Sequence, residues 1–319
     1  MLSAVLALVG ALVYGSADFL GGMAARRMRS ITVTGVAAVA GLVLLMITVP
    51  LLGGSFNAVD AAWGTLAGVF GMLAVALLYA CLALGPMSIL SPLTAVVSAV
   101  APMLWGLLVV GESLGAIGYA GLAVALVAAV LVGFVPGQGA VRPTTRGIVV
   151  AVGSGVCIGA FLIVMDQTSA QSGLVPLLFS RIANVAIALP VIGAMLLIAL
   201  RRGRPAASAL VAQGVEVGVT PSGRADLEHV VVTAPTQTLP IPARAWTLAA
   251  ACGVVDAGAN ALMLVALRAG DLAIVSALTA LYPAGTIVLA AILLRERIAR
   301  VQWAGLILAL AAGGMLALA

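Results

Sequence analysis

Lysine is absent from this chain, histidine occurs once, and charged residues of all kinds fill 8% of its 319 positions. A water-soluble domain carries about 25% charged residues. A chain this poor in charge cannot cover its surface with polar groups, so that surface must face lipid. Without lysine there is no Gly-x-x-x-x-Gly-Lys-Ser/Thr phosphate loop, which removes a self-contained ATPase. The one histidine, His229, lies in a polar stretch, and no paired acidic motif accompanies it, so a membrane enzyme is poorly supported. The three cysteines, Cys81, Cys157 and Cys252, lie inside apolar runs with no Cys-x-x-Cys pair. An odd, embedded set excludes a disulfide framework and a zinc cluster, and reads as small packing residues. No metal and no cofactor is expected.

All 15 basic residues are arginine, against 10 acidic ones, for a net charge of +5. In a soluble protein that balance would suggest nucleic acid. Here the arginines fall between apolar runs, where the positive-inside rule places them, so no nucleic-acid partner is expected.

What remains is apolar: 64% of the residues are hydrophobic, and the mean hydropathy is +1.27. A helix needs about 20 apolar residues to cross a bilayer. Runs of that length predict spans at Leu2–Ala24, Ile31–Leu52, Ala62–Leu84, Ser88–Val110, Ala116–Val135, Gly147–Met165, Val175–Leu200, Trp246–Leu267, Leu272–Leu294 and Val301–Ala319. The runs are continuous and lack alternation, which argues against membrane strands. The first run lacks a basic leader, and Arg26, Arg27 and Arg29 follow it, so it reads as a span and not as a secretory signal.

The spans fall into two sets of five with a shared pattern. Leu82-Ala83-Leu84-Gly85 leads into Ile89, Ser91, Leu93, Thr94 and Ala95. Leu267-Arg268-Ala269-Gly270 leads, at the same spacing, into Ile274, Ser276, Leu278, Thr279 and Ala280. Each run ends in a glutamate, Glu112 or Glu296, followed seven residues on by an aromatic (Tyr119, Trp303) and nine on by a glycine (Gly121, Gly305). An odd number of spans per copy forces the second copy to cross in the opposite sense. The expected fold is therefore an all-α integral membrane protein of ten transmembrane helices in two inverted five-helix repeats. The first is residues 1–136 and the second 143–319, interrupted by a polar insert at 201–245. The arginine distribution places that insert in the cytoplasm and both termini outside, in a multi-pass cell-membrane protein. The insert's composition favours a flexible loop, with β-branched residues at Val215–Thr220 and Val230–Thr233 leaving a small hairpin open.

Two five-helix repeats, each with a Leu-x-x-Gly turn entering a small-residue span and a glutamate at its exit, resemble the EamA-type branch of the drug/metabolite transporter superfamily. The stretch Tyr14-Gly15-Ser16-Ala17-Asp18-Phe19-Leu20-Gly21-Gly22 is similar to that branch's first-helix motif. The resemblance covers the chain apart from the insert. It implies a secondary transporter with a central cavity between the repeats, moving a small metabolite or drug, often outward, in a lipid bilayer. Proton coupling and exchange are both open as energy sources. A channel, or a non-transporting sensor on the same fold, is the alternative, although no ring of repeated carboxylates is visible.

Ionisable groups inside a membrane are costly, about 2.5–3.5 kcal/mol at mid-depth on insertion scales, and each needs a reason. Tyr14 and Asp18, Arg181 and Asn184, and Asp256 and Asn260 form three pairs at helical spacing. Each pair shares one helix face, so three greasy cylinders each carry one polar patch that should turn toward a cavity. These six residues are the candidate substrate or ion pathway. Asp256 is the candidate for proton coupling or for a cationic group, and Arg181 for an anionic one or for an ion pair. Asp166 lies nearer a span edge. Glu112 and Glu296 sit at helix exits, Glu296 among arginines in an interfacial salt bridge. Trp63, Trp246 and Trp303 read as interfacial anchors, while Trp105, Tyr79 and Tyr282 lie deeper, as candidates to line the cavity. Pro92, Pro102, Pro190 and Pro283 interrupt spans as candidate hinges. Gly64-x-x-x-Gly68 and Gly155-x-x-x-Gly159 permit close helix contact.

Overall fold

A computed structural model of the protein describes residues 1–84, 87–133, 144–211, 218–219, 225–226, 241–294 and 299–319. The chain forms α1 (Leu2–Ala25), α2 (Ser30–Leu52), α3 (Ala58–Leu84), α4 (Met87–Trp105), α5 (Ala116–Gly133), α6 (Thr145–Asp166) and α7 (Val175–Arg201). These are followed by a short α8 (Ala207–Leu210), then α9 (Ala243–Ala269), α10 (Leu272–Thr279), α11 (Pro283–Leu293) and α12 (Arg300–Ala317). Counting α10 and α11 as one span, ten helical segments among the described residues are long and apolar enough to cross a membrane.

Local chemistry sets the ends. The Thr144 hydroxyl accepts the Gly147 N–H at 3.1 Å, opening α6. Asn57 Oδ1 accepts the Val59 N–H at 2.9 Å, opening α3, and Gln302 Oε1 reaches back to the Ala299 N–H at 3.1 Å, opening α12. Helix α2 stops at Gly53, whose φ of +76° suits a residue without a Cβ.

Three features depart from the sequence expectations. The ninth span is not one rod: it breaks between α10 and α11 at residues 280–282, just before Pro283. Helices continue through the other prolines, with Pro92 and Pro102 inside α4 and Pro190 inside α7. Helix α4 instead loosens after Trp105 into a five-residue π-turn, Gly106–Val110. In the insert, Gly218–Val219 pairs antiparallel with Ala225–Asp226, a short ladder where a loop is favoured on composition. Val215, Val217, Thr220, residues 230–233, His229, Glu296 with Arg295 and Arg297, and the side chains of Tyr79 and Cys81 lie outside the described residues.

Helix α1 packs against α9 and α11, and α3 against α6 and α7. Helix α2 packs against α9 and α7, α4 against α6 and α10, and α5 against α12. Small residues make these crossings tight. Gly64 and Gly68 of α3 lie against the backbone of Pro176 and Ser180 on α7, while Gly155 and Gly159 of α6 lie against α4. Gly253 of α9 meets the backbone of Ala37 on α2. The window Leu272–Leu293 is 78% buried, against at most 44% for any other span, so the broken helix is the core of the bundle. Large apolar side chains such as Leu108, Ile307 and Leu310 point outward, 77%, 62% and 70% exposed; lipid is the solvent that makes such a surface stable.

The bundle has two ends. At one, the α1–α2 turn meets the segment after α8: Met28 bridges to Val211. Arg26, Arg27 and Arg29 lie on that turn, and Arg201, Arg202 and Arg204 lie at the end of α7 and in the link to α8. At the far end, Gly54 lies against Ser172 and Gly173, Gly118 against Ala319, and Gly270 against Ser3. Arg268 is the far end's one arginine among the described residues.

Candidate functional site

A cavity of about 410 Å³ sits between α1, α2, α3, α6, α7, α9 and the α10–α11 break. That volume suits a small-molecule site. All six residues expected from helical spacing line it: Tyr14, Asp18, Arg181, Asn184, Asp256 and Asn260. Its lining runs along α1 from Tyr14 to Ala25 and along α2 from Ser30 to Ala38, toward the arginine-rich end. Among the described residues, none of the lining comes from the far-end turns.

The polar patches interlock. An Arg181 Nη donates to Asp256 Oδ2, joining α7 to α9. The Arg181 side chain is 11% exposed and that of Asp256 is 26%, so the guanidinium is shielded while the carboxylate faces the cavity. Burying an arginine without a partner would be costly, and Asp256 supplies the opposite charge. A Cβ at Gly41 would lie 2.9 Å from the Gly253 carbonyl oxygen, so this glycine lets α2 approach α9 beside Arg181. One turn along α9, Asn260 Nδ2 donates to the Asp256 carbonyl at 2.8 Å, and Asn260 Oδ1 accepts the Tyr14 hydroxyl at 2.5 Å. Tyr14 of α1 is thereby tied to the helix that carries Asp256. The Asn184 Oδ1 is buried without a hydrogen-bond partner among the described residues, one turn from Arg181.

The helix break completes the wall. Thr286 Oγ1 donates to the Gly15 carbonyl at 3.0 Å, and the backbone of Tyr282 and Thr286 fills the space a Cβ on Gly15 would need. Gly15 therefore lets α11 seat against α1 beside Tyr14, with Tyr282 and Thr286 both facing the cavity.

Asp18 lines the cavity and is exposed. Cys252 is half-buried beside Gly21 and also lines the cavity, while Cys157 is 8% exposed. Trp105 is 39% exposed and is not among the lining residues. Ser30, Thr34, Ser180 and Phe161 line the cavity without a signal in the sequence, because a single hydroxyl or ring in an apolar helix looks like ordinary packing. Asp166 ends α6 at the far end, away from the site. Among the described residues, no group of three or more His, Cys, Asp or Glu is placed to hold a metal ion.

Residues 230–317 match the EamA-like transporter family, part of the drug/metabolite transporter superfamily. None of the curated proteins matches the chain. Among the solved structures, one crystal structure of a protein is similar over 99% of this chain and 98% of its own, with a TM-score of 0.63 and 13% sequence identity. At that identity the likeness concerns the fold alone.

Proposed function

We propose, from the match of residues 230–317 to the EamA-like transporter family, that the protein is a secondary transporter that moves a small metabolite or drug by alternating access. The observation that carries this reading is the cavity: six polar residues from α1, α7 and α9 converge in a space whose described lining leads to one end of the bundle. A channel needs a path through both ends; a carrier in one of its resting states has a path through one.

The two moving bodies are the halves 1–136 and 143–319, inverted relative to each other in the membrane. Their exchangeable contacts support this. Helix α1 meets α9 as α6 meets α3, and α2 meets α9 as α7 meets α3. The two motif glycines support it again: Gly121 of α5 lies against Leu316 of α12, and Gly305 of α12 lies against Val132 of α5. The arginine-rich end faces the cytoplasm, so the cavity is open inward, in position to load a substrate for export.

The Arg181–Asp256 pair is the exchange point. A substrate cation or a proton competes for Asp256, a substrate anion competes for Arg181, and either one loosens α7 from α9. No covalent chemistry is needed, so the reading is of a carrier and not an enzyme.

The test runs in two steps. A metabolite panel is screened for compounds that raise the melting temperature of the detergent-solubilised protein. A stabilising compound is then followed in proteoliposomes, where saturable, gradient-driven flux is expected and Asp256→Asn abolishes it while the protein stays folded. Ohmic conductance in place of saturable flux would establish the channel reading instead.

A further inference from the structure

The far end of the bundle carries buried polar groups that the transport site does not use. Asp60, in the first turn of α3, is 3% exposed. Its carboxylate accepts twice from Ser169 in the α6–α7 turn: the backbone N–H at 3.2 Å and the hydroxyl at 2.5 Å. Arg268, at the end of α9, donates to the Ser169 carbonyl at 2.9 Å and to the Ser172 hydroxyl at 3.4 Å. One carboxylate, one turn and one guanidinium thus join α3, the α6–α7 turn and α9.

A second link lies nearby. Glu112 accepts the N–H groups of Leu272 at 2.7 Å and Ala273 at 2.9 Å, the first turn of α10. These are donors that a helix start leaves without an intrahelical partner. The π-turn of α4 aims the carboxylate there. Gly111, at φ +81°, turns the chain back so that the Glu112 N–H reaches the Gly106 carbonyl at 3.0 Å. Gly106 has no side chain, and the Glu112 carboxylate occupies that space. Ser55 adds a backbone link, its N–H donating to the Gln171 carbonyl at 2.9 Å.

We propose that Asp60 with Ser169 and Arg268, and Glu112 with the first turn of α10, are two locks of a gate that holds the far end shut while the cavity is open at the other. The proposal rests on the alternating-access reading. Both locks tie a residue before position 136 to residues after 143, so neither survives a rotation of the halves that opens this end. Toward the other end, the described cross-half hydrogen bonds run from Arg29 to the Leu210 and Val211 carbonyls, from the Thr94 hydroxyl to the Ala151 carbonyl and from the Ser154 hydroxyl to the Ala74 carbonyl, and use no carboxylate. The Glu112 lock also connects to the site. It holds α10, which runs straight to the break where Tyr282 faces the cavity.

A hydrogen bond to a charged group, made in one state and lost in the other, biases their ratio about tenfold or more. The test places Ile158→Cys, a cavity-lining position at mid-depth, in a background with Cys81, Cys157 and Cys252 replaced by serine. A membrane-impermeant methanethiosulfonate cation is applied to each face of sealed vesicles. Asp60→Asn and Glu112→Gln, both nearly isosteric, are each expected to raise the labelling rate from the far face about tenfold and to lower it from the arginine-rich face. Labelling from both faces at a ratio that neither variant moves would overturn the gate and leave alternating access standing. Labelling confined to one face in every variant would overturn both. A circular-dichroism melt of each variant verifies that the labelled protein is folded.

Discussion

At the scale of single residues, the site is a buried arginine held by a half-accessible carboxylate. Removing one member of a buried ion pair leaves the other uncompensated, which costs about 3–5 kcal/mol. The lower end of that range applies here, because the Asp256 side chain keeps 26% of its exposure and some contact with cavity water. Arg181→Gln and Asp256→Asn should therefore each lower stability by about 3 kcal/mol, measured by thermal or denaturant unfolding in detergent. The double variant should lose clearly less than the sum, since neither charge is then stranded. Transport should remain absent in the double variant although it is less destabilised than the sum of the single changes. Strict additivity would show that the two residues do not act as a unit.

The polar site was legible from the sequence for a simple reason. Asp18, Arg181 and Asp256 are so costly in lipid that each marks a face, and Tyr14, Asn184 and Asn260 fall on those faces at three- or four-residue spacing. The far-end groups carried no such mark. Asp60, Ser169, Ser172 and Arg268 lie at span edges, where polar residues ordinarily meet water, and their burial depends on contacts between segments far apart in sequence. Glu112 was visible as a recurring helix-exit residue, but its acceptance of two N–H groups from α10 was not.

At the scale of elements, the close approach of helix backbones is what glycine supplies here. Gly253 presses on the Ala37 carbonyl, and the backbone there cannot yield as a flexible side chain would. Gly193 on α7 has nothing within 4 Å of the position a Cβ would take. The same substitution should then act in opposite directions. Gly253→Ala should cost about 1–3 kcal/mol through overpacking, while Gly193→Ala should gain about 0.5–1 kcal/mol from helix propensity. Melting temperatures in detergent measure both; equal effects would mean that the α2–α9 crossing is looser than drawn. Element boundaries were readable because lipid demands long apolar runs. The break at residues 280–282 was hidden among four prolines, three of which their helices simply absorb. What distinguishes Pro283 is its place, opening α11 beside Gly15.

At the scale of the whole molecule, the proposed loading direction depends on which end faces the cytoplasm. Arginines resist translocation across a membrane. Those described outside the helix cores stand on the α1–α2 turn, the end of α7 and the segment after it, and the starts of α6, α9 and α12, with Arg268 alone at the far end. The positions to label follow from the backbone. Gly203 has φ +66° and would strain a cysteine, whereas Arg204 is exposed and outside any helix. Phe56, 69% exposed in the α2–α3 turn, marks the opposite end. In a background with Cys81, Cys157 and Cys252 replaced, Arg204→Cys should react with an impermeant maleimide only after the cytoplasmic face is made accessible. Phe56→Cys should react on intact cells. The converse pattern would turn the molecule over: the open cavity would then face outward, the Asp60 and Glu112 contacts would close the cytoplasmic side, and the state described would be one that loads substrate for import.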